Sequence, residues 1–263
     1  MKKFYFSFKI DQSFNKIMDD FRTVKSQYES ITEESALSSV ITAYKAAVVA
    51  KNDAGNYINT AQSDPTEVID DMGYMIGELR TKVEAKGSDL WSNTIVPGTA
   101  IRSTKTFNVR STSGHTSPGN LTFYCVYKDT TNKILWFDNV PSNSYVPASN
   151  SSSADACARA FCNYRSTVTS TFNGCTVTIP NVDCLTLAEH NTILAQNGTS
   201  CTKCGAKDNI GATRDYWSKK TDSTVQTMDG NTGKIGTDFG IGNSSVMLLI
   251  ALSESSFINA LLA

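Results

Sequence analysis

All seven cysteines of this 263-residue chain fall between Cys125 and Cys204, and the first 124 residues hold none. That segregation constrains the fold more than any other feature. The cysteine-free part reads as amphipathic helix, whereas the cysteine-bearing part is rich in Ser, Thr and Asn and poor in charge. A chain of this length forms one large domain or two modest ones. The split points to two: a helical stalk and a head that needs staples.

Residues 12–52 carry the clearest periodicity. Phe14, Ile17, Met18, Phe21, Val24, Tyr28 and Ile31 recur three or four residues apart, and Leu37, Val40, Ile41, Tyr44 and Val48 continue the stripe after the polar step Thr32-Glu33-Glu34. This is the pattern of a helix with one buried seam. It predicts one helix of about 40 residues, ~60 Å long, or two with a break near Thr32, stopped by Asn52-Asp53-Ala54-Gly55-Asn56. A second helix starts at Asp64, a good N-cap followed by Pro65 and Glu67. Its stripe of Val68, Ile69, Met72, Met75, Ile76, Leu79 and Val83 closes at Lys86-Gly87. Gly73 and Gly77, four apart, are expected to let helices approach closely. Together these segments predict a coiled-coil-like helical hairpin over residues 12–87.

From Trp91 the grammar changes. Residues 104–110 read as a strand, and 121–127 and 133–137 read as a β-hairpin closed by the polar turn Asp129-Thr130-Thr131-Asn132. Residues 141–153 form a Ser/Asn/Pro-rich loop, 153–164 and 184–196 are short helix candidates, and 167–179 is β-like. Ser245 reads as the cap of a last helix. Its apolar side includes Leu248, Leu249, Phe257, Ile258 and Leu261. The expected fold class is α+β: a helical hairpin or stalk at 1–90, a β-rich, cysteine-containing head at 91–244, and an apolar C-terminal helix at 245–263. That helix is expected to pack on the stalk, the head or a neighbouring subunit.

Three chemistries compete for the cysteines. Disulfides among Cys125, Cys157, Cys162, Cys175, Cys184, Cys201 and Cys204 would brace a loop-rich head in an oxidising compartment. The odd number leaves one thiol free or bonded to another chain. Cys201-Thr202-Lys203-Cys204 resembles one knuckle of a zinc ribbon, but a second Cys-x-x-Cys is missing. A redox role needs such a motif to open a helix, where the N-terminus lowers a thiol pKa. Here loop-like residues flank it on both sides. Disulfides are the favoured reading, with no metal and no cofactor expected.

Other candidates reduce to simpler explanations. His190 follows Cys184 without an identifiable third partner, and His115 lies in a turn-like run. Residues 229–235 resemble a calcium loop that lacks its bidentate glutamate. Trp91, Trp136 and Trp217, with Tyr124, Tyr127, Tyr145 and Tyr164, suit an aromatic core better than a sugar platform. Four Asn-x-Ser/Thr sequons, at Asn120, Asn150, Asn197 and Asn243, are unremarkable in so hydroxyl-rich a chain.

No nucleophile elbow, phosphate loop, zinc-protease helix or dinucleotide fingerprint is present, so no catalytic residue is assigned and no enzyme is expected. The formal net charge of -1 argues against nucleic-acid binding. The apolar run at 246–252 is far short of the roughly 20 residues a membrane span needs. What remains is a structural or surface protein that self-assembles: a subunit of an extracellular filament, appendage or virion, or a cell-adhesion protein. Its expected partners are copies of itself and a cell-surface receptor or glycan. The expected assembly face comprises Phe14, Ile17, Phe21, Tyr28, Leu248, Leu249, Phe257, Ile258 and Leu261. The layout is similar to that of type IV pilins in architecture only, because Lys9, Asp11, Lys16, Asp19, Asp20 and Arg22 fall where their apolar anchor would run. The alternatives are a carbohydrate- or protein-binding module, and a zinc-stabilised or thiol-based intracellular protein.

Overall fold

The computed structural model describes residues 11–110, 116–138, 146–147, 166–182, 215–221, 224–229 and 245–263. One carboxylate organises its helical part. Asp11 Oδ1 accepts from the Phe14 N–H at 3.1 Å and so caps α1 (Gln12–Glu29). Asp11 Oδ2 accepts from the N–H groups of Gln62 and Ser63 at 2.6 and 2.7 Å, in the loop between α2 (Leu37–Tyr57) and α3 (Thr66–Asn93). Burial pushes this carboxyl's pKa up, but the N–H groups of Phe14, Ser63 and Gln62 outweigh it and hold the group below its usual range. Asp64 accepts from the N–H of Thr66 at 2.9 Å, so α3 starts where Asp64-Pro65 predicts.

The three helices meet at Ile17, Ala54 and Met72, all fully buried, with Phe21, Ala50, Tyr57, Val68 and Ile69 packed against them. Burying a large apolar side chain contributes about 1.5–3 kcal/mol. Of the two expected layouts, the pair of helices with a break near Thr32 is the one that forms. The chain breaks after Glu29 and resumes at Leu37, giving helices of 18 and 21 residues. Lys82 and Lys86 of α3 hold the intervening turn through the Glu33 side chain and backbone carbonyl. The stop expected at residues 52–56 is overridden because Ala54 belongs to the core, and α2 must continue through it. α3 likewise runs past Lys86-Gly87 to Asn93, about 42 Å in all. Neither Gly73 nor Gly77 marks a close backbone approach. A methyl at Gly77 would meet nothing within 4 Å, and one at Gly73 would meet only the Lys51 ammonium.

The strands are β1 (Ala100–Arg110), β2 (Thr116–Asp129), β3 (Ile134–Asp138), β4 (Val146–Pro147), β5 (Ser166–Phe172), β6 (Cys175–Val182), β7 (Asp215–Thr221), β8 (Thr224–Asp229) and β9 (Ser245–Ser253). They form one sheet in the order β6-β5-β1-β2-β3-β9-β7-β8, with β4 also on β9. Only β7 and β9 pair in parallel among these strands. The β2–β3 hairpin forms as its polar turn predicts. Asp129 accepts from the N–H groups of Thr131 and Asn132 at 3.0 and 2.9 Å. β5 and β6 join through Asn173 and Gly174, both left-handed with φ of +47° and +77°, which a two-residue hairpin turn requires. One face carries buried Ile101, Phe123, Phe137, Val168, Val177 and Ile250.

Residues 245–253, expected to be helical, are strand β9. Seven consecutive apolar residues mark no single face, so their pattern suits a buried strand as well as a buried helix. Pairing decides: β3 lies on one side, β7 on the other, and β4 covers the start. The chain then enters α4 (Glu254–Leu262) without a loop. Ser253, not Ser245, caps it by accepting from the Ser256 N–H at 3.1 Å. The mixed α+β class stands, with four helices and a mainly antiparallel sheet among the described residues. Its two compact units are the chain up to Gly87 with Leu261–Ala263, and Ser88–Ala260.

Gly77→Ala is expected to raise stability by about 1 kcal/mol, read as a higher thermal midpoint, because the added methyl meets nothing and loses only unfolded-state freedom. Asp11 predicts a pH signature. Its folded pKa lies below the unfolded value, so its contribution is present above the ordinary carboxylate pKa and is lost as pH falls through the folded one. Asp11→Ala should lower the denaturant midpoint at neutral pH, and the gap from the parent should close on acidification.

Candidate functional site

The most chemically loaded cluster surrounds Glu254, at the junction of β9 and α4. This residue is only 6% exposed. Oε2 takes the Lys133 ammonium at 2.7 Å, Oε1 takes the Ser88 hydroxyl, and the Glu254 N–H donates to the Lys133 carbonyl at 3.0 Å. The bonds from Lys133 and Ser88 hold this carboxyl below its usual range, against the burial that would raise it. A carboxylate so satisfied is a poor base. The cluster is a strut joining the β2–β3 turn, the end of α3 and the start of α4.

Lys128 is spent in the same way. Its ammonium donates to the carbonyls of Trp91 at 2.9 Å, Ile95 at 3.3 Å and Ser92, and lies 4.9 Å from the centre of the Trp91 ring. These are carbonyls left over at the end of α3, where a cation also suits the helix dipole. Burial pushes this amine's pKa down. Asp129, also buried, is committed to its turn.

The expected site residues are distributed as follows. Ile17, Phe257 and Leu261 are buried within the chain, and Phe257 meets Phe172 edge-on at 5.9 Å between ring centres. These three are therefore core, not an assembly face. Phe14, Phe21, Tyr28 and Ile258 are half-buried, and Leu248 and Leu249 lie in β9, their side chains outside the described residues. Cys125 and Cys175 are buried, on β2 and at the start of β6. Cys157, Cys162, Cys184, Cys201 and Cys204 lie outside the described residues, as do both histidines, most of the calcium-like loop and the two short helix candidates. Trp91 and Trp136 are 3% and 5% exposed, which makes them core. The Asn120 amide donates to the carbonyl of Ser103 at 2.9 Å. Among the described residues, no group of three His, Cys, Asp or Glu is placed to hold a metal, and no helix is long and apolar enough to cross a membrane.

Two surfaces stand out instead. On the solvent side of the sheet, Thr169 faces Thr178 and Thr171 faces Thr176, with hydroxyl oxygens 3.3 and 3.0 Å apart. Arg102 and Thr122 extend this polar face across β1 and β2. On the helical unit, a groove of about 370 Å³ runs between α1 and α2 past Val24, Gln27, Lys45, Val49 and Asp53. A second, of about 300 Å³, continues from Gln27 past Ser38 and Thr42. Val49 is 58% exposed, and the Gln27 Oε1 is buried without a hydrogen-bond partner. The groove was missed in the sequence because Val48, one residue away, completes the core stripe and leaves Val49 looking like a chance neighbour.

Glu254→Ala is expected to cost about 2–3 kcal/mol, since it strips a buried strut from Ser88 and Lys133. The loss should be largest at neutral pH and shrink as pH falls through the folded pKa, because that pKa is depressed. Urea titrations of both proteins across the acid range check the sign.

Comparison with protein-family models, with curated proteins and with solved structures returns no match for this chain.

Proposed function

We propose that this chain is a non-enzymatic structural protein, a self-assembling subunit of an extracellular filament, appendage or virion. The single observation that supports the reading is how its buried charged groups are used. Glu254 binds Lys133 and Ser88, and Asp129 closes a turn; Lys128, half-buried, caps α3. These charged groups are consumed in holding elements together. The disulfide-braced head and extracellular location belong to the same proposal and rest on the clustering of the cysteines.

A second reading, a glycan- or protein-binding module, is favoured by the hydroxyl face of β5 and β6, where ordered threonines and Arg102 present donors and acceptors on a rigid sheet. A glycan array separates the two: saturable binding supports the second reading, and none from a folded sample counts against it.

The structural reading predicts concentration-dependent association in sedimentation velocity and regular assemblies by electron microscopy. Intact mass before and after reduction should show three disulfides and one thiol left over. A chain that stays monomeric at every concentration, with all thiols reactive, overturns it.

A further inference from the structure

The groove on the helical unit has a self-complementary form. Val49 projects from α2 into solvent at 58% exposure, one helical turn from Lys45 on one side and from Asp53 on the other. Both Lys45 and Asp53 are exposed and neither joins a close ion pair among the described residues, although Asp53 also attracts the Lys16 ammonium of α1, whose main partner is Asp20. Two copies of α2 laid antiparallel about a two-fold axis at Val49 bring each position before Val49 opposite the position equally far after it. Lys45 of one copy then faces Asp53 of the other, twice over, because each lies four residues from Val49.

We infer that this chain pairs with a second copy of itself through antiparallel packing of α2 across the α1–α2 groove, with Val49 on the axis and Lys45–Asp53 pairs on either side. The inference rests on the reading that the chain self-assembles and names the surface that does so.

One further feature fits a second copy. The ridge formed by Lys45, Val49 and Asp53 has the four-residue spacing by which helices interdigitate, and an isologous contact requires one patch to complement itself.

The test is a charge exchange in the full chain. Lys45→Glu and Asp53→Lys each turn both symmetric pairs into repulsions. Each should weaken self-association about tenfold in sedimentation velocity, the effect expected of two exposed pairs reversed. The double variant Lys45→Glu/Asp53→Lys restores both attractions with the polarity swapped and should return to the parent's association constant. Circular dichroism should be unchanged throughout, since both positions face solvent. If the parent associates and the single variants match it, or if the double variant fails to recover, this contact is wrong while self-assembly itself stands. A parent that never associates overturns both.

Discussion

Strand β9 is the constraint on which the sheet depends. Its apolar run favours an interior place in the sheet, where β3, β7 and β4 satisfy its backbone and Ile250 and Leu252 are buried. Fixing β9 fixes its neighbours. The β2–β3 hairpin is placed by the pairing of Phe137 with Ile250 and Leu135 with Leu252. The loop-free passage into α4 then brings Glu254 against the β2–β3 turn, where Lys133 and Ser88 receive it. A hydrophobic requirement sets the topology, and an ionic strut pins the end.

Much of this was legible, and the failures have specific causes. The helix start at Asp64 and the turn at Asp129 were readable because short carboxylates accept backbone N–H groups wherever they precede a helix or open a turn; the cap at Asp11 carries the same signal but was not singled out. The stop at residues 52–56 misled because local propensity costs only about 1 kcal/mol per glycine, less than burying Ala54 and its neighbours contributes. β9 misled because a continuous apolar run has no period. The Asn173-Gly174 turn was available in the sequence as a strong hairpin signal, yet residues 167–179 read as one β-like stretch.

The candidate surface was less legible than the fold. Periodic apolar positions report what a chain buries in itself, so the assembly face drawn from Ile17, Phe257 and Leu261 described core. The surface proposed for a second copy shows in the opposite way. It is a single apolar residue outside the stripe, bracketed by opposite charges outside any close ion pair, and only the structure reveals that Val49 is exposed while Val48 is half-buried.

The sheet edge bears on how such a chain would associate. Strand edges are ready templates for lateral pairing, and β6 ends the described sheet at one side. Pro180 lies within β6 and has no N–H to offer a neighbouring strand. The opposite side of β6 is occupied by β5, with a register shift between Ser166 and Val168 that increases local twist. Growth by strand addition is therefore obstructed at this edge. The α2 face with exposed Val49 between Lys45 and Asp53 carries no such obstruction, because the proposed contact asks a partner to match side chains, not to complete a ladder.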